Sequence, residues 1–208
     1  MRTLSWGKRD TIDYVEKELH EGKVILAEGD TVLGLLADVS EKGVAQLNHI
    51  KSRSHKPYLI LVENSKKVFD FIEIDKVKVF QIEKFMHKCW PGPVTLIFKA
   101  KEGVFPPAQT PEGTIAIRVP NHQGLLQLLS RFDALFSTSA NSSGQPVPGS
   151  IEEVDTSILG AVACVVTNDD HSTAQSELPS TIIDCTGERP VVVRQGAFDA
   201  SKLVDIFD

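Results

Sequence analysis

The sequence predicts a mixed α/β fold in which helices flank one β-sheet. Short runs of apolar and β-branched residues alternate with segments of helical spacing along most of the chain. Further apolar runs then cluster near the C-terminus, whereas a regular doubly wound sheet would keep alternating strand with helix. No period of 20–50 residues repeats and no linker divides the chain, so residues 1–208 are expected to form a single domain.

The N-terminal half contains three helical patterns and two strand patterns. Apolar spacing predicts helices at residues 11–19, 44–51 and 77–90, and apolar runs predict strands at 23–27 and 58–62. Gly22 ends the first helix, and the turn from Pro91 to Pro93 ends the third. We interpret the stretch from Trp90 to Pro93 as a structural corner more readily than as a stacking platform for a ligand.

The C-terminal half is richer in strands. Apolar runs predict strands at residues 94–98, 114–119, 134–137, 162–167, 181–184 and 191–194. Residues 124–129 have helical spacing, and a second helix is predicted at 151–158, where Ser150 and Glu153 form a Ser-x-x-Glu capping box. The polar stretch 168–179 is predicted to be a surface loop.

Composition restricts the classes of function. The chain carries 28 acidic and 22 basic residues, a net charge of −6, so binding of phosphate must depend on a local basic cluster. Three widely spaced cysteines form no CxxC and six histidines form no HxxxH pair, so no metal site is expected. No apolar run is long enough for a membrane span, and the N-terminus lacks a secretory signal. We therefore expect a cytoplasmic protein without membrane contact.

A basic stretch follows the second predicted helix. Lys51 offers a point charge and Arg53 a planar fork of donors, a pair suited to surround a polyphosphate. The same residues are also typical of a solvated helix C-terminus, where the helix dipole favours cations, and this stretch alone favours that interpretation. No GxxxxGK[ST], GxGxxG or GxSxG motif is present, so a nucleotide would have to be held by some other arrangement.

A polar turn follows the strand at 134–137. Ser137, Ser139 and Asn141 belong to a run of hydroxyl and amide residues that ends at Gly144. Backbone N–H groups and hydroxyls of such turns bind phosphate or carboxylate oxygens, although the same residues are ordinary turn formers. Both interpretations remain open on this stretch alone.

Two arginines lie at or next to the last residue of a predicted strand. Arg118 closes an apolar run and must be paired, either with a ligand carboxylate or with a structural acid. Arg194 closes the last strand and is followed by Gly196 after one residue.

Taken in order, seven segments resemble the YrdC-like (TsaC) threonylcarbamoyl-AMP synthase family in its short, single-domain form. The matching segments are Gly29-Asp-Thr-Val-Leu-Gly34, Lys51-Ser-Arg53, Trp90-Pro-Gly-Pro-Val-Thr95, Ile115-Ala-Ile-Arg-Val-Pro120, Ser137-Thr-Ser-Ala-Asn-Ser-Ser-Gly144, Pro179-Ser-Thr-Ile-Ile-Asp184 and Val193-Arg-Gln-Gly-Ala197. The chain departs from the family's pattern at three places. Glu28-Gly-Asp-Thr31 stands where the family has Pro-Thr-Glu-Thr, Leu33 stands where it has an aromatic residue, and Ser54 stands where it has a proline.

The resemblance implies a twisted mixed sheet flanked by helices, with a concave basic cavity. It also implies an L-threonylcarbamoyladenylate synthase, a nucleotidyltransferase that converts L-threonine, bicarbonate and ATP, with Mg²⁺, into threonylcarbamoyl-AMP and pyrophosphate. The product would pass to a downstream threonylcarbamoyl-transfer complex that modifies tRNA. In a competing hypothesis, the cavity binds tRNA or double-stranded RNA directly.

The resemblance also assigns site residues. Positions that match ATP contacts are Lys51, Arg53, Thr114, Ser139, Asn141 and Arg194, of which Lys51 and Arg53 match the catalytic pair. Positions that match the threonine pocket are Thr31, Arg118, Ser137 and Ser180. The alternative hypothesis is a paralogue that binds RNA or a nucleotide without catalysis, or that uses a different amine.

Overall fold

The computed structural model describes residues 2–52, 57–75, 77–168, 176, 178–201 and 203. Its strands are β1 (Arg2–Ser5), β2 (Ile25–Ala27), β3 (Gly34–Asp38), β4 (Leu59–Leu61), β5 (Val94–Lys99), β6 (Thr114–Arg118), β7 (Leu135–Ser139), β8 (Cys164–Thr167), β9 (Thr181–Asp184) and β10 (Val191–Arg194). Its α-helices are α1 (Thr11–His20), α2 (Glu41–Lys51), α3 (Ser65–Phe71), α4 (Val79–Cys89), α5 (Gln123–Leu129) and α6 (Thr156–Ala161). Turns of 3₁₀ helix lie at Pro106–Ala108 and Ile151–Glu153.

The strands form one sheet in the order β1-β8-β2-β3-β7-β4-β6-β5-β9-β10. The pairs β1–β8, β2–β8, β4–β6 and β5–β9 are parallel. The remaining neighbours are antiparallel. The predicted mixed α/β class is therefore confirmed.

Alternation along the strands divides the side chains between two faces of the sheet. On β6, Ile115 and Ile117 enter the larger hydrophobic core, whereas Ala116 and Arg118 point to the opposite face. Apolar side chains of α2, α3, α4 and α6 pack in that larger core. One face of the sheet is thus covered by these four helices.

The opposite face is covered only in part. Helices α1 and α5 pack on it through a smaller core that includes Val15, Leu19, Leu125 and Leu128. That core also contains residues of β2 and β8, Leu36 of β3, Leu61 of β4 and Leu135, the first residue of β7. Beyond it, strands β4 to β7, β9 and β10 present side chains to an open cavity. The incomplete helical cover leaves room for a site on this part of the sheet.

The corner between α4 and β5 is structural, as its turn residues predicted. Trp90 is buried, and its indole N–H donates to the backbone oxygen of Val94 at 2.6 Å. The peptide bond between Trp90 and Pro91 is cis. This corner brings the backbone oxygen of Gly92 to the guanidinium of Arg118.

Several predicted elements need correction. The predicted capping box at Ser150 and the predicted single helix 151–158 are both wrong. The Glu153 carboxylate accepts from the backbone N–H of Gly149. Helix α6 begins after Asp155, whose side chain accepts from Ser157 N at 2.8 Å. Aspartate is a strongly preferred N-cap residue, so the segment divides into a 3₁₀ turn before Asp155 and helix α6 after it. Strands β1 and β3 and helix α3 were not predicted.

No described helix is long and apolar enough to cross a membrane. Of the predicted surface loop 168–179, residues 169–175 and 177 lie outside the described part of the chain.

Candidate functional site

A cavity of about 350 Å³ lies over the uncovered part of the sheet. Six of the ten predicted site residues line it, namely Thr31, Arg118, Ser137, Ser139, Ser180 and Arg194. They come from the segment before β3, from strands β6, β7 and β10, and from the residue preceding β9. Residues that are up to 163 positions apart (31 to 194) therefore meet at one site.

The strand β7 supplies its two serines by alternation. Phe136 is fully buried in the larger core, whereas Ser137 and Ser139 lie on the cavity side. Ser137 pairs with Leu36 of β3 and with Leu59 of β4 in the antiparallel register. The polar end of this strand thus lies in the middle of the sheet, beneath the cavity.

Lys51 lies against the polar turn after β7. Its ammonium Nζ donates to the backbone oxygen of Ser139 at 2.6 Å and to Oδ1 of Asn141 at 3.0 Å. Lys51 is only 2% exposed, so the interpretation as a solvated helix end is wrong for this residue. Asn141 Oδ1 also accepts from the hydroxyl of Ser139, which joins all three side chains in one network.

Arg118 is held from three sides. Its Nε donates to the backbone oxygen of Gly92 at 3.1 Å, its Nη1 donates to the hydroxyl of Thr31 at 2.8 Å, and its Nη2 pairs with Asp30 Oδ1. The side chains of Arg118 and Asp30 are 6% and 9% exposed. Of the two alternatives for Arg118, the ion pair is therefore present, and Arg118 nevertheless lines the cavity.

Asp30 also links Arg118 to the backbone of the segment that follows β6. Its second oxygen, Oδ2, accepts from the backbone N–H of Asn121 at 2.8 Å. A guanidinium has five N–H groups, and the described contacts use three of them. Arg118 therefore combines a fixed orientation with donors that a ligand carboxylate could take.

Arg194 lies on the far side of the cavity. Its Nη2 donates to the backbone oxygen of Ser180 at 2.7 Å and lies 3.4 Å from the Ser180 hydroxyl. Burial lowers the pKa of Arg194 from its ordinary value, although a guanidinium stays protonated throughout the physiological range. The cavity thus has one arginine on β6 and another on β10.

Three predicted residues lie beside the cavity or outside the described chain. Asn141 lines an adjoining cavity of about 360 Å³, which shares Val147 with the first. Thr114 begins β6 on the same face as Ala116, which lines the cavity, and its hydroxyl lies 2.9 Å from that of Thr110. Arg53 lies outside the described residues.

Sequence reasoning did not assign a role to three residues at the site. Thr95 lines the cavity and is fully buried, with its hydroxyl 2.8 Å from that of Ser180. Tyr58 also lines it and donates from its hydroxyl to Asn48 Oδ1 at 2.9 Å. Asp30 stands behind Arg118. A polar residue at an inward position of an apolar strand, as in Val94-Thr95-Leu96, is the signal that could have identified Thr95.

Neither thiols nor an acidic cluster contribute to this cavity among the residues that line it. Burial raises the pKa of Cys89 to about 12 and that of Cys164 to about 11, and burial also raises the pKa of Cys185. These thiols are therefore neutral near pH 7. Within the described residues, no group of three or more His, Cys, Asp or Glu is arranged to hold a metal ion.

Comparison with known proteins relates the chain to one family. The family model Sua5_yciO_yrdC, described as "Telomere recombination", matches residues 17–196. A Methanocaldococcus jannaschii protein, provisionally named threonylcarbamoyl-AMP synthase, is 29% identical over 198 residues, which cover 94% of this chain and 90% of that protein. Proteins named threonylcarbamoyl-AMP synthase from Pyrococcus abyssi and Bacillus subtilis are each 28% identical over 189 residues. Each match covers 89% of this chain but only 54% and 53% of those relatives, so the chain spans about half their length.

Solved structures share the fold. The H234A/Y235A variant of P. abyssi Sua5 superimposes with a TM-score of 0.81 at 25% identity, covering 97% of this chain and 62% of that one. P. abyssi Sua5 in complex with L-threonine gives 0.82 at 24% identity, covering 99% and 60%. Escherichia coli YciO gives 0.81 at 20% identity, covering 99% and 97%. The last two likenesses are evidence for the fold alone.

Proposed function

Because the chain belongs to the Sua5/YciO/YrdC family, whose model it matches over residues 17–196, we propose that it is an L-threonylcarbamoyladenylate synthase. It is a nucleotidyltransferase that makes threonylcarbamoyl-AMP and pyrophosphate from L-threonine, bicarbonate and ATP. The names of its M. jannaschii, P. abyssi and B. subtilis relatives support this activity. The product serves the threonylcarbamoyladenosine modification of tRNA.

One observation carries the proposal. Two arginines and a set of hydroxyls from distant parts of the chain line a single cavity of about 350 Å³. Polar groups that converge in a preformed cavity are the usual sign of a ligand site. The two cations suit the two anionic parts of the substrates, the amino-acid carboxylate and the phosphates.

The reaction proceeds in two steps. The threonine amine forms a C–N bond to the carbon of bicarbonate, and water leaves to give a carbamate. A carbamate oxygen then attacks the α-phosphorus of ATP in line, and the bond from that phosphorus to the bridging oxygen breaks. Pyrophosphate leaves with the electron pair of that bond, and threonylcarbamoyl-AMP remains.

The residues of this chain act by position and charge. Arg118, oriented by Asp30 and Thr31, binds the threonine carboxylate, and Ser137 and Ser180 lie beside it. Lys51 and Arg194 offset the charge that develops on the phosphates, together with Arg53. In-line phosphoryl chemistry depends mainly on such positioning and on electrostatic stabilisation, and it needs no acid–base dyad.

ATP lies along the polar turn after β7. Ser139, Asn141 and Thr114 supply hydroxyl and amide groups to the nucleotide. Mg²⁺ enters with ATP and neutralises phosphate charge. Among the described residues no group of three or more His, Cys, Asp or Glu could hold the ion, so phosphate oxygens and water would supply most of its ligands.

The activity is tested by pyrophosphate release from ATP, with threonine and bicarbonate omitted in turn. Dependence on both supports the synthase. Release that needs threonine but not bicarbonate would mean simple amino-acid adenylation and would contradict the proposal. Transfer of the product to tRNA is measured after addition of a threonylcarbamoyl-transfer complex, and a mobility shift against salt tests direct binding of tRNA or double-stranded RNA.

A further inference from the structure

A pair of buried hydroxyls lies between the two arginines of the cavity. Thr95 of β5 is fully buried, Ser180 is 4% exposed, and their oxygens are 2.8 Å apart. Both residues line the cavity. The proposed reaction assigns no role to Thr95.

Strand register places this pair beside Arg118. Leu96 of β5 pairs with Ile117 of β6, so the antiparallel register puts Thr95 opposite Arg118. On its other side, Thr95 pairs with Ile182 of β9, two residues after Ser180. Directly opposed side chains on one face of a sheet have Cβ atoms about 5 Å apart. A molecule that Arg118 holds therefore lies next to the hydroxyl pair.

The Thr95 and Ser180 hydroxyls have one more hydrogen to donate than the described hydrogen bonds use. Each hydroxyl has one hydrogen to donate, so Thr95 and Ser180 have two between them. One hydrogen lies in the bond that joins the two oxygens, and the Arg194 contact supplies a donor to Ser180, not an acceptor. Among the described residues, no further acceptor contacts either hydroxyl. One hydroxyl hydrogen is therefore available to the cavity.

The direction of the Thr95–Ser180 bond decides which hydrogen that is, and either hydroxyl can be its donor. Arg194 Nη2 lies 3.4 Å from the Ser180 hydroxyl oxygen, and the Thr95 hydroxyl lies 2.8 Å from it. When Thr95 donates to Ser180, the Ser180 oxygen receives from both neighbours and its own hydrogen turns away from them. The free direction is the cavity that both residues line.

We propose that Thr95 is a positioning residue that directs the Ser180 O–H toward the side-chain hydroxyl oxygen of the amino-acid substrate. This inference rests on the proposed function, since it takes Arg118 to hold the carboxylate of that substrate. The substrate hydroxyl is the acceptor because the carboxylate receives its donors from Arg118. Thr95 thereby contributes to the choice of threonine over amino acids that lack a hydroxyl.

The test uses the full chain and the variants Thr95→Val and Thr95→Ser. Valine keeps the shape of threonine and removes the hydroxyl, and serine keeps the hydroxyl. We expect Thr95→Val to raise the KM for L-threonine about tenfold, the effect of one net hydrogen bond. The KM for ATP and the KM for L-2-aminobutyrate, which lacks the hydroxyl, should change less than about twofold, and Thr95→Ser should resemble the wild type.

A double variant tests whether Thr95 acts through Ser180. Ser180→Ala should reproduce the selective loss, and Thr95→Val combined with Ser180→Ala should lose no more than Ser180→Ala alone. Thr167→Val, which removes a strand hydroxyl on β8 that bonds to Leu4, is the matched control and should keep wild-type constants.

Two results would overturn the inference while leaving the synthase intact. The first is an unchanged KM for threonine in Thr95→Val, and the second is an equal loss for threonine and 2-aminobutyrate. Failure of the proposed function is separate, because the wild-type chain itself would then release no pyrophosphate with threonine and bicarbonate. Calorimetric titration of wild type and Thr95→Val with L-threonine decides the inference in that case, and no binding by the wild type would overturn both.

Discussion

The ammonium of Lys51, the last residue of α2, donates to the backbone oxygen of Ser139 at 2.6 Å, although 88 residues separate them in the chain. Ser139 lines the cavity, and Lys51 also donates to Asn141 Oδ1. This contact places a buried positive charge directly behind the polar turn. The turn that we propose to hold ATP is thus fixed by the lysine that we propose to offset phosphate charge.

Replacement of Lys51 should therefore affect both catalysis and the turn. We expect Lys51→Ala to lower kcat for pyrophosphate release by about 10²–10³-fold, the usual cost of one charge-stabilising group. Arg53→Ala should lower it similarly, and both variants should remain folded by circular dichroism. Lys67→Ala is a matched control, since Lys67 Nζ donates to the backbone oxygen of Phe132 away from the cavity. Near-normal turnover in both Lys51→Ala and Arg53→Ala would refute their role.

Asp30 should control how Arg118 meets its ligand. Asp30→Asn leaves the buried guanidinium without its counter-charge, and breaking such a pair typically costs about 3–5 kcal/mol of unfolding free energy. We expect the KM for threonine to rise at least about tenfold, as for loss of a charged hydrogen bond, with the KM for ATP unchanged. Urea denaturation and steady-state kinetics measure the two effects.

The conservative variant and a surface control complete this comparison. Asp30→Glu keeps the charge and should recover part of the affinity for threonine. Asp133→Asn removes an exposed partner of Lys67 and should change stability by less than about 1 kcal/mol. A lower KM for threonine in Asp30→Asn would show instead that Asp30 competes with the substrate carboxylate.

Selectivity against serine should be modest. Serine differs from threonine by one methyl group, and a hydrophobic contact with a single extra methyl or methylene discriminates by about 1–3 kcal/mol. We expect kcat/KM for serine to lie about 10–200-fold below that for threonine. Equal values for the two amino acids would mean that the methyl group meets no wall of the cavity.

The buried cysteines should make the protein sensitive to alkali. The raised pKa of Cys89 favours the neutral thiol in the folded state, so its stabilising effect is complete below the unfolded pKa of about 8.5 and is lost as pH rises toward about 12. Between pH 8 and pH 10 the loss from this group is about 2 kcal/mol of unfolding free energy. Cys89→Ala should show a flatter dependence in urea denaturation at the two pH values. A wild-type curve parallel to that of Cys89→Ala would contradict this account.

Local pattern predicted most helices and strands to within a few residues. Helix α1 and strands β9 and β10 begin where the spacing and the apolar runs indicated. Strand β1 was not predicted because Arg2–Ser5 is short and partly exposed, and it is a strand only because β8 pairs with it. The box at Ser150 failed because Asp155 caps the helix that actually forms.

The sequence and the family resemblance could predict which residues belong to the candidate site, but not which residues they pair with. The sequence and its family resemblance indicated Arg118 and Lys51, yet left open an ion pair for the first and a solvated helix end for the second. The structure shows that Arg118 pairs with Asp30 and that Lys51 is buried against Ser139. Both answers depend on contacts between residues about 90 positions apart, which no local pattern encodes.

The amino-acid order by itself determined which side chains share a face, because alternation along a strand follows from backbone geometry. Once the structure shows that β7 continues to Ser139, this alternation places Ser137 and Ser139 on one side of the strand and Phe136 on the other. Only the tertiary structure decided which strands are neighbours and where helical cover ends. That choice depends on the packing of the whole sheet, and it left Thr95 beside Ser180 and opened one polar region of the sheet as a cavity.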